Sequence, residues 1–217
     1  MNLPTKITVS RIVAAAAIFV TLFVFYIIGK VNPSFVTPVL ELGEVKIDVF
    51  FIILLVVFVL VSLTDLIDGK LARARNEVTT LGKFLDPIAD KLLVNSMLIF
   101  LCAPMLFAPY NHVQNVGISV WCVILMVVRD IVVDSIRLIA ANKRVVIAAN
   151  IFGKMKTVFQ MIAIGVVLVN DFPFAFFDSK FPEGLRISDF IVYIATAISL
   201  ISGIIYVLQN KKVFKEE

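Results

Sequence analysis

Six apolar runs constrain the fold of this chain more than any other feature of its sequence. Most are about as long as the roughly 20 residues that a helix needs to cross a bilayer. They cover residues 12–28, 49–67, 84–107, 117–141, 155–169 and 187–208. Because 60% of the 217 residues are hydrophobic and 17% are charged, the chain has more apolar surface than a soluble domain of this size can bury. The sequence predicts an all-α integral membrane protein with six transmembrane helices, in one domain over residues 1–217.

The segment before the first run has a mixed composition. Residues 2–11 are mostly polar, and the apolar Leu3 and Ile7 are four residues apart, so they lie on one face of a helix. This pattern predicts a short amphipathic helix on the membrane surface. Residues 29–48 contain Pro33, Pro38 and Gly43 and are expected to form a loop between the first two spans.

The positive charges are divided unevenly between the two sides of the predicted bundle. Six spans place both termini on one side, which collects most of the lysines and arginines. The other side has only Lys30, Lys46, Lys180 and Arg186. The positive-inside rule makes the first side cytoplasmic. We therefore expect a multi-pass protein of the cytoplasmic cell membrane, with both termini and the active site facing the cytoplasm.

Four aspartates lie where the second run ends and the third begins. Asp65 and Asp68 are three residues apart, and Asp86 and Asp90 are four apart, so each pair lies on one face of its helix. Two antiparallel helices would bring the pairs together, as in dimetal carboxylate sites. Crowded carboxylates must either hold protons or have cations between them, and all-oxygen ligation favours Mg²⁺ or Mn²⁺. We expect one or two such ions.

Two glycines and an arginine accompany the aspartates. Gly69 and Gly82 allow a large ligand to approach the backbone, and the guanidinium of Arg73 suits phosphate oxygens. Together with metal ions, these residues indicate phosphoryl or nucleotidyl transfer.

The spacing of these residues resembles a known signature. Asp65-x-x-Asp68-Gly69-x-x-Ala72-Arg73, eight residues, Gly82-x-x-x-Asp86-x-x-x-Asp90 matches every position of the signature of the CDP-alcohol phosphotransferase family. We call residues 65–90 the signature segment. The resemblance implies that CDP-diacylglycerol binds with its acyl chains in the bilayer and its pyrophosphate at the metal ions.

The resemblance also implies a role for each residue of the signature. The expected metal ligands are Asp65, Asp68, Asp86 and Asp90. Asp90 would also act as the general base that takes a proton from the acceptor hydroxyl. The residues expected to bind CDP-diacylglycerol are Asp65, Gly69, Ala72, Arg73 and Gly82.

A second set of charged residues lies in the fourth apolar run, at Arg129, Asp130, Asp134 and Arg137. Ionisable groups at this depth are costly unless they face a cavity or a partner, so they are functional candidates. The alternative is a ladder of ion pairs along one helix, from Asp130 through Asp134 to Arg137. Lys154 and Lys156 follow in the next segment, and such cations would bind an anionic second substrate, for example a phosphate.

These charged residues resemble the branch of the family whose acceptor is glycerol 3-phosphate. The similarity rests on Arg129, Arg137, the run 153–157 and the N-terminal residues Asn2, Pro4, Thr8 and Arg11, and the chain beyond Gln160 adds only hydrophobicity to it. It implies that Arg129, Arg137 and Lys154 bind the acceptor phosphate. It further implies that the protein forms a homodimer. The expected partners are membrane lipids, and no nucleic acid is expected to bind. This chain differs from that branch at three positions. The branch usually has asparagine where this chain has Thr5, glutamate where it has Asp130, and a small hydroxyl residue where it has Asp134.

Several alternatives stay open from the sequence alone. Inositol 3-phosphate, phosphatidylglycerol and serine are alternative acceptors for the same chemistry, although the cations favour a phosphorylated one. A small transporter or channel is disfavoured because the charges cluster towards one face and no broken-helix repeat is visible. A catalytically silent relative is disfavoured because all four aspartates are present.

Overall fold

The computed structural model is a bundle of six helices. It describes residues 3–32, 34–43, 45–75, 80–104, 117–143, 151–180 and 186–211, without the side chains of residues 3–7, 65–84, 86–87, 142 and 178–180. The helices are α1 (Leu3–Val31), α2 (Val49–Arg75), α3 (Thr80–Cys102), α4 (Val120–Asn142), α5 (Ile151–Leu168) and α6 (Ile187–Gln209). Each predicted apolar run therefore corresponds to one helix.

The signature segment is more helical than the sequence predicted. We expected α2 to end near residue 67 and α3 to begin near residue 84, but α2 continues to Arg75 and α3 starts at Thr80. Residues 70–75 read KLARAR, and all four residue types in this run favour helix. Residues 70–75 and 80–83, which lie between the two predicted runs, are thus helical.

The N-terminal surface helix is not a separate element. One continuous helix, α1, runs from Leu3 to Val31, so the expected break near residue 11 is wrong. Pro4 lies in the first turn, where its missing N–H is tolerated, and no other proline or glycine occurs before Gly29. Between Pro4 and Gly29, the sequence thus contains no helix-breaking residue that would end α1 earlier.

A β-hairpin lies where a loop was expected between α1 and α2. Strands β1 (Val39–Leu42) and β2 (Val45–Asp48) are antiparallel, with Leu42 opposite Val45. This register leaves a two-residue turn, in which Gly43 has φ +66°. The Asn170 side chain donates a hydrogen bond of 2.9 Å to the Lys46 carbonyl, which ties the hairpin to the connection between α5 and α6.

The start of α2 is fixed by a buried carboxylate. Asp48 is fully buried, and its Oδ1 accepts a hydrogen bond of 2.9 Å from the Phe50 N–H. Its Oδ2 accepts a hydrogen bond from the Thr37 hydroxyl. The carboxylate thereby satisfies a backbone donor in the first turn of the helix.

Apolar side chains form both the core and much of the outer surface. The main core cluster draws on all six helices and includes Phe51, Phe58, Leu98, Met126 and Ile164. Among the described residues, three stretches are long and apolar enough to cross a membrane, namely Thr8–Val31, Ile151–Leu168 and Ile187–Gln209, and Val49–Thr64 is a shorter apolar helix. Large apolar side chains such as Val20, Phe23 and Leu208 are exposed on the outside. This distribution is that of a membrane protein.

Candidate active site

A cavity of about 220 Å³ opens between α3, α4, α5 and α6. Along α3, most of the lining residues between 90 and 95 precede the core residues 97–101, and along α4 the lining residues 129–137 follow the core residues 122–126. Val94 belongs to both sets, so the cavity directly adjoins the apolar core of the bundle. The cavity lies at the end where α3 begins.

The cavity is lined mainly by charged side chains. Its cations are Lys91, Arg129, Arg137, Lys154 and Lys156, and its carboxylates are Asp90, Asp130 and Asp134. Among the described lining residues the positive charges outnumber the negative ones by two. Such an excess favours an anionic ligand.

Asp130 and Lys156 form a buried ion pair between α4 and α5. Asp130 is 3% exposed and Lys156 is 7% exposed. The Lys156 ammonium donates to both carboxylate oxygens, at 2.7 and 2.6 Å, and Arg129 donates to Asp130 Oδ1 at 2.9 Å. One carboxylate therefore compensates the buried Lys156 and the partly buried Arg129, which fixes α4 against α5.

Arg129 is also held by α6. Its Nε donates to the Ser199 carbonyl at 3.1 Å, and a terminal nitrogen donates to the Ser202 hydroxyl at 2.7 Å. Gly203 allows this approach, because a Cβ at that position would lie 2.7 Å from Arg129 Cγ. The guanidinium is thus anchored by partners on two helices.

Replacing Gly203 with alanine is expected to lower the stability of the protein by about 1–3 kcal/mol, because the added methyl overpacks the site and displaces Arg129. Thermal unfolding in detergent would measure this loss. Gly165→Ala is the matched control, since a Cβ there would meet only Leu55 Cδ1 at 3.7 Å. Equal melting temperatures for the two variants would contradict the close packing of Arg129 on Gly203.

The other charged residues of α4 also pair with neighbouring helices. Asp134 forms an ion pair with Lys91 of α3. Arg137 donates from Nε to the Tyr206 hydroxyl at 3.2 Å, and its guanidinium carbon lies 5.5 Å from the centre of the Tyr206 ring. The alternative of a ladder along α4 from Asp130 through Asp134 to Arg137 is therefore wrong, because Asp134 and Arg137 both pair between helices.

Lys154 and Arg137 are the cations with the most unused donor capacity. Lys154 is exposed and lines the cavity, and no carboxylate partner is recorded for it in the described part of the chain. Arg137 uses its Nε on Tyr206 and has no recorded partner in that part for its terminal nitrogens. Arg129, the third expected phosphate ligand, already has three protein partners.

Asp90 connects the signature segment to this cavity. It lies in α3, lines the cavity, and keeps 39% of its side chain exposed, with Arg11 Nη2 at 4.0 Å from its Oδ1. The Asp90 carboxylate can therefore reach a ligand in the cavity, and the buried guanidinium of Arg11 lies close to it. The structure thus brings Asp90 together with all three expected phosphate ligands, Arg129, Arg137 and Lys154.

The remaining signature residues are placed by their backbone only. Asp65, Asp68, Gly69, Ala72 and Arg73 lie in the last turns of α2, and Gly82 and Asp86 lie in the first turns of α3. Their side chains lie outside those that the structure describes. Because α2 ends at Arg75 and α3 begins at Thr80, both sets lie at the end of the bundle that contains the cavity.

The donor chemistry of the site fits a divalent cation of the magnesium type. Asp90 offers carboxylate oxygens at the cavity, and oxygen is the donor that Mg²⁺ and Mn²⁺ prefer. No cluster of three or more His, Cys, Asp or Glu occurs among the described side chains, which do not include those of Asp65, Asp68 and Asp86. The metal set expected from the sequence therefore stays a prediction.

Reasoning from the sequence missed the contribution of α6 to the site. No residue beyond Gln160 was predicted to take part in the site, yet Ser199, Ser202 and Tyr206 hold Arg129 and Arg137. Their spacing of three and four residues along an apolar helix is the signal that would have placed them on one face. Lys91, Asn95 and Gln160 of the cavity were also missed.

Comparisons with known proteins identify the family of this chain. A family model described as CDP-alcohol phosphatidyltransferase matches residues 1–205. Three bacterial proteins named CDP-diacylglycerol–glycerol-3-phosphate 3-phosphatidyltransferase are similar to the chain. The Bacillus subtilis protein is 34% identical, covering 99% of this chain and 97% of the relative. The Mycoplasma pneumoniae protein is 34% identical, covering 99% and 89%, and the Rickettsia bellii protein is 29% identical, covering 98% and 97%. The chain belongs to the CDP-alcohol phosphatidyltransferase family.

Proposed function

We propose that this protein transfers the phosphatidyl group of CDP-diacylglycerol to glycerol 3-phosphate, giving phosphatidylglycerophosphate and CMP. Family membership supports the phosphatidyl transfer, and the names of the similar proteins supply both substrates. The observation that carries the choice of acceptor is the position of Asp90 in the same cavity as Arg137 and Lys154. That cavity can hold a phosphate and a hydroxyl of one small molecule at once.

In this proposal, the acceptor is bound and activated by the cavity residues. Arg137 and Lys154 bind its phosphate together with Arg129, which also keeps Asp130 in place. Asp90 takes the proton from the primary hydroxyl, whose oxygen attacks the phosphorus that carries the diacylglycerol. The bond between that phosphorus and the CMP oxygen breaks, and CMP leaves.

The nucleotide is bound by the signature segment. Asp65, Gly69, Ala72, Arg73 and Gly82 hold the cytidine and its phosphates, with the acyl chains of the lipid beside the exposed apolar surface. The family is generally dependent on divalent metals. One or two Mg²⁺ or Mn²⁺ ions, held by Asp65, Asp68, Asp86 and Asp90, would neutralise the pyrophosphate and the charge that develops on CMP.

We also propose how the protein is oriented in the membrane and how many copies associate. All six helices span the cytoplasmic membrane of the cell, with both termini and the cavity facing the cytoplasm, and two copies form a homodimer. The excess of lysine and arginine at the cavity end of the bundle supports this orientation. It also supports a water-soluble acceptor that enters from the cytoplasm.

The test is CMP release by the purified protein in detergent with CDP-diacylglycerol and Mg²⁺ or Mn²⁺. Glycerol 3-phosphate, inositol 3-phosphate, phosphatidylglycerol and serine are added in separate reactions. We expect release with glycerol 3-phosphate only. CMP release with another acceptor alone would support phosphatidyl transfer but reject glycerol 3-phosphate as the acceptor. No CMP release with any acceptor would reject the enzyme function.

Replacing Lys154 with methionine is expected to raise the KM for glycerol 3-phosphate about 10-fold or more, because one charge-assisted hydrogen bond of about 1.5–3 kcal/mol is lost. The KM for CDP-diacylglycerol should stay unchanged. Lys46→Met is the matched control, because Lys46 is an exposed lysine of the hairpin that lies outside the cavity. An equal rise in both KM values would show that Lys154 does not act on the acceptor.

A further inference from the structure

Gln160 is a buried amide at the deep end of the cavity. It lies on α5, lines the cavity, and is 0% exposed. Neither its Oε1 nor its Nε2 has a hydrogen-bond partner among the described residues. Buried polar groups are nearly always hydrogen-bonded, and an unpaired one lowers stability. Two unpaired atoms on one cavity-lining side chain point to a ligand that pairs with them.

A second amide lines the same cavity from another helix. Asn95 lies on α3, and its Oδ1 is also buried without a partner among the described residues. The cavity therefore presents unpaired amide atoms from two helices. An amide contains both a donor and an acceptor, which is the pattern that an alcohol hydroxyl requires, since a hydroxyl also donates and accepts.

The two amides lie at a defined depth relative to the charged residues. Asn95 follows Lys91 by four residues on α3, and Gln160 follows Lys156 by four residues on α5. Each amide is thus about one helical turn further from the cavity end of the bundle than the lysine on its own helix. Lys154 lies nearest the start of α5. Along α3 and α5, the lysines therefore lie nearer the cavity end of the bundle, and the uncharged amides lie deeper.

We propose that Gln160, together with Asn95, binds the hydroxyl of the acceptor that does not react, and so selects a polyol phosphate over a simple alcohol phosphate. This inference rests on the proposed function. With the phosphate at Arg137 and Lys154 and the primary hydroxyl at Asp90, glycerol 3-phosphate has one further hydroxyl, the secondary one. The amides supply the hydrogen bonds that this group loses on leaving water.

The experiment compares two acceptors in the CMP-release assay. Glycerol 3-phosphate has the secondary hydroxyl, and 3-hydroxypropyl phosphate lacks it while retaining the reacting hydroxyl and the phosphate. Because a site built to hydrogen-bond a hydroxyl rejects an analogue without it, we expect the native protein to prefer glycerol 3-phosphate about 100-fold in kcat/KM. In Gln160→Met the preference should fall to about 10-fold or less, and Asn95→Leu should reduce it in the same direction.

Gln209→Met is the matched control, since it makes the same change on an exposed position of α6 outside the cavity. It should keep the full preference. Equal losses with both acceptors in Gln160→Met, or an unchanged preference, would overturn the inference while leaving the proposed function intact. Absence of CMP release with glycerol 3-phosphate from the native protein would overturn both.

A second measurement separates ligand binding from a structural role. Without substrates, Gln160→Met should melt at a higher temperature than the native protein, because methionine removes two unpaired polar atoms from a buried position. A glutamine that served the fold would give the opposite result. A lower melting temperature would therefore overturn the inference.

Discussion

Asp90→Asn is expected to reduce CMP release with glycerol 3-phosphate about 1,000-fold or more. Asparagine has nearly the same size as aspartate, but it carries no negative charge and does not accept the proton of the acceptor hydroxyl. In the proposed mechanism, loss of the general base alone accounts for a factor of about 10²–10⁴, and loss of a metal ligand would add to it. The effect should fall on kcat, since the cations proposed to bind the acceptor phosphate are unchanged.

The measurement is the rate of CMP release at saturating concentrations of both substrates, with binding of CDP-diacylglycerol followed separately. Asp90→Asn should still bind the nucleotide lipid. Glu41→Gln removes an exposed carboxylate of the hairpin, outside the cavity, and should leave the rate unchanged. Full activity of Asp90→Asn would reject the assigned role, and loss of folding would be visible as a lower melting temperature.

The helices of this protein were predictable from the sequence, but their ends were not. Long apolar runs predict helices because only a helix satisfies every backbone group within lipid. The ends of α2 and α3 lie in polar sequence, where apolar periodicity gives no signal and helix propensity decides. The hairpin at Val39–Asp48 was missed because each strand has only four residues, which is too few for alternation to stand out from a loop.

The charged residues of the site were predictable, whereas their partners were not. Spacing along one helix suggested that Asp134 pairs with Arg137, but Asp134 pairs with Lys91, and Arg137 pairs with Tyr206. Both true partners lie on other helices. Helix packing decides which faces meet, and the packing follows from side chains along the whole bundle. The spacing of Ser199, Ser202 and Tyr206 places them on one face of α6, but it does not indicate which helix that face meets.

Breaking the buried ion pair of Asp130 and Lys156 is expected to cause the largest loss of stability. Asp130→Asn leaves the buried Lys156 and the partly buried Arg129 without a counter-charge, and breaking a buried ion pair costs about 3–5 kcal/mol. We expect a marked fall in the melting temperature measured in detergent. Asp130→Glu retains the charge, and glutamate is the residue usual at this position in the branch that the chain resembles, so its melting temperature should lie close to that of the native protein.

A double variant distinguishes charge compensation from simple loss of packing. Asp130→Asn combined with Lys156→Met removes both charges of the pair, and most of the stability lost in Asp130→Asn should return, because replacing a buried ion pair as a unit is often neutral. Arg129 keeps its hydrogen bonds to Ser199 and Ser202 on α6 in either variant. If the two substitutions were simply additive, the stability of α4 against α5 would come from apolar packing. Recovery in the double variant would instead identify this ion pair as the contact that sets how the two helices meet beside the cavity.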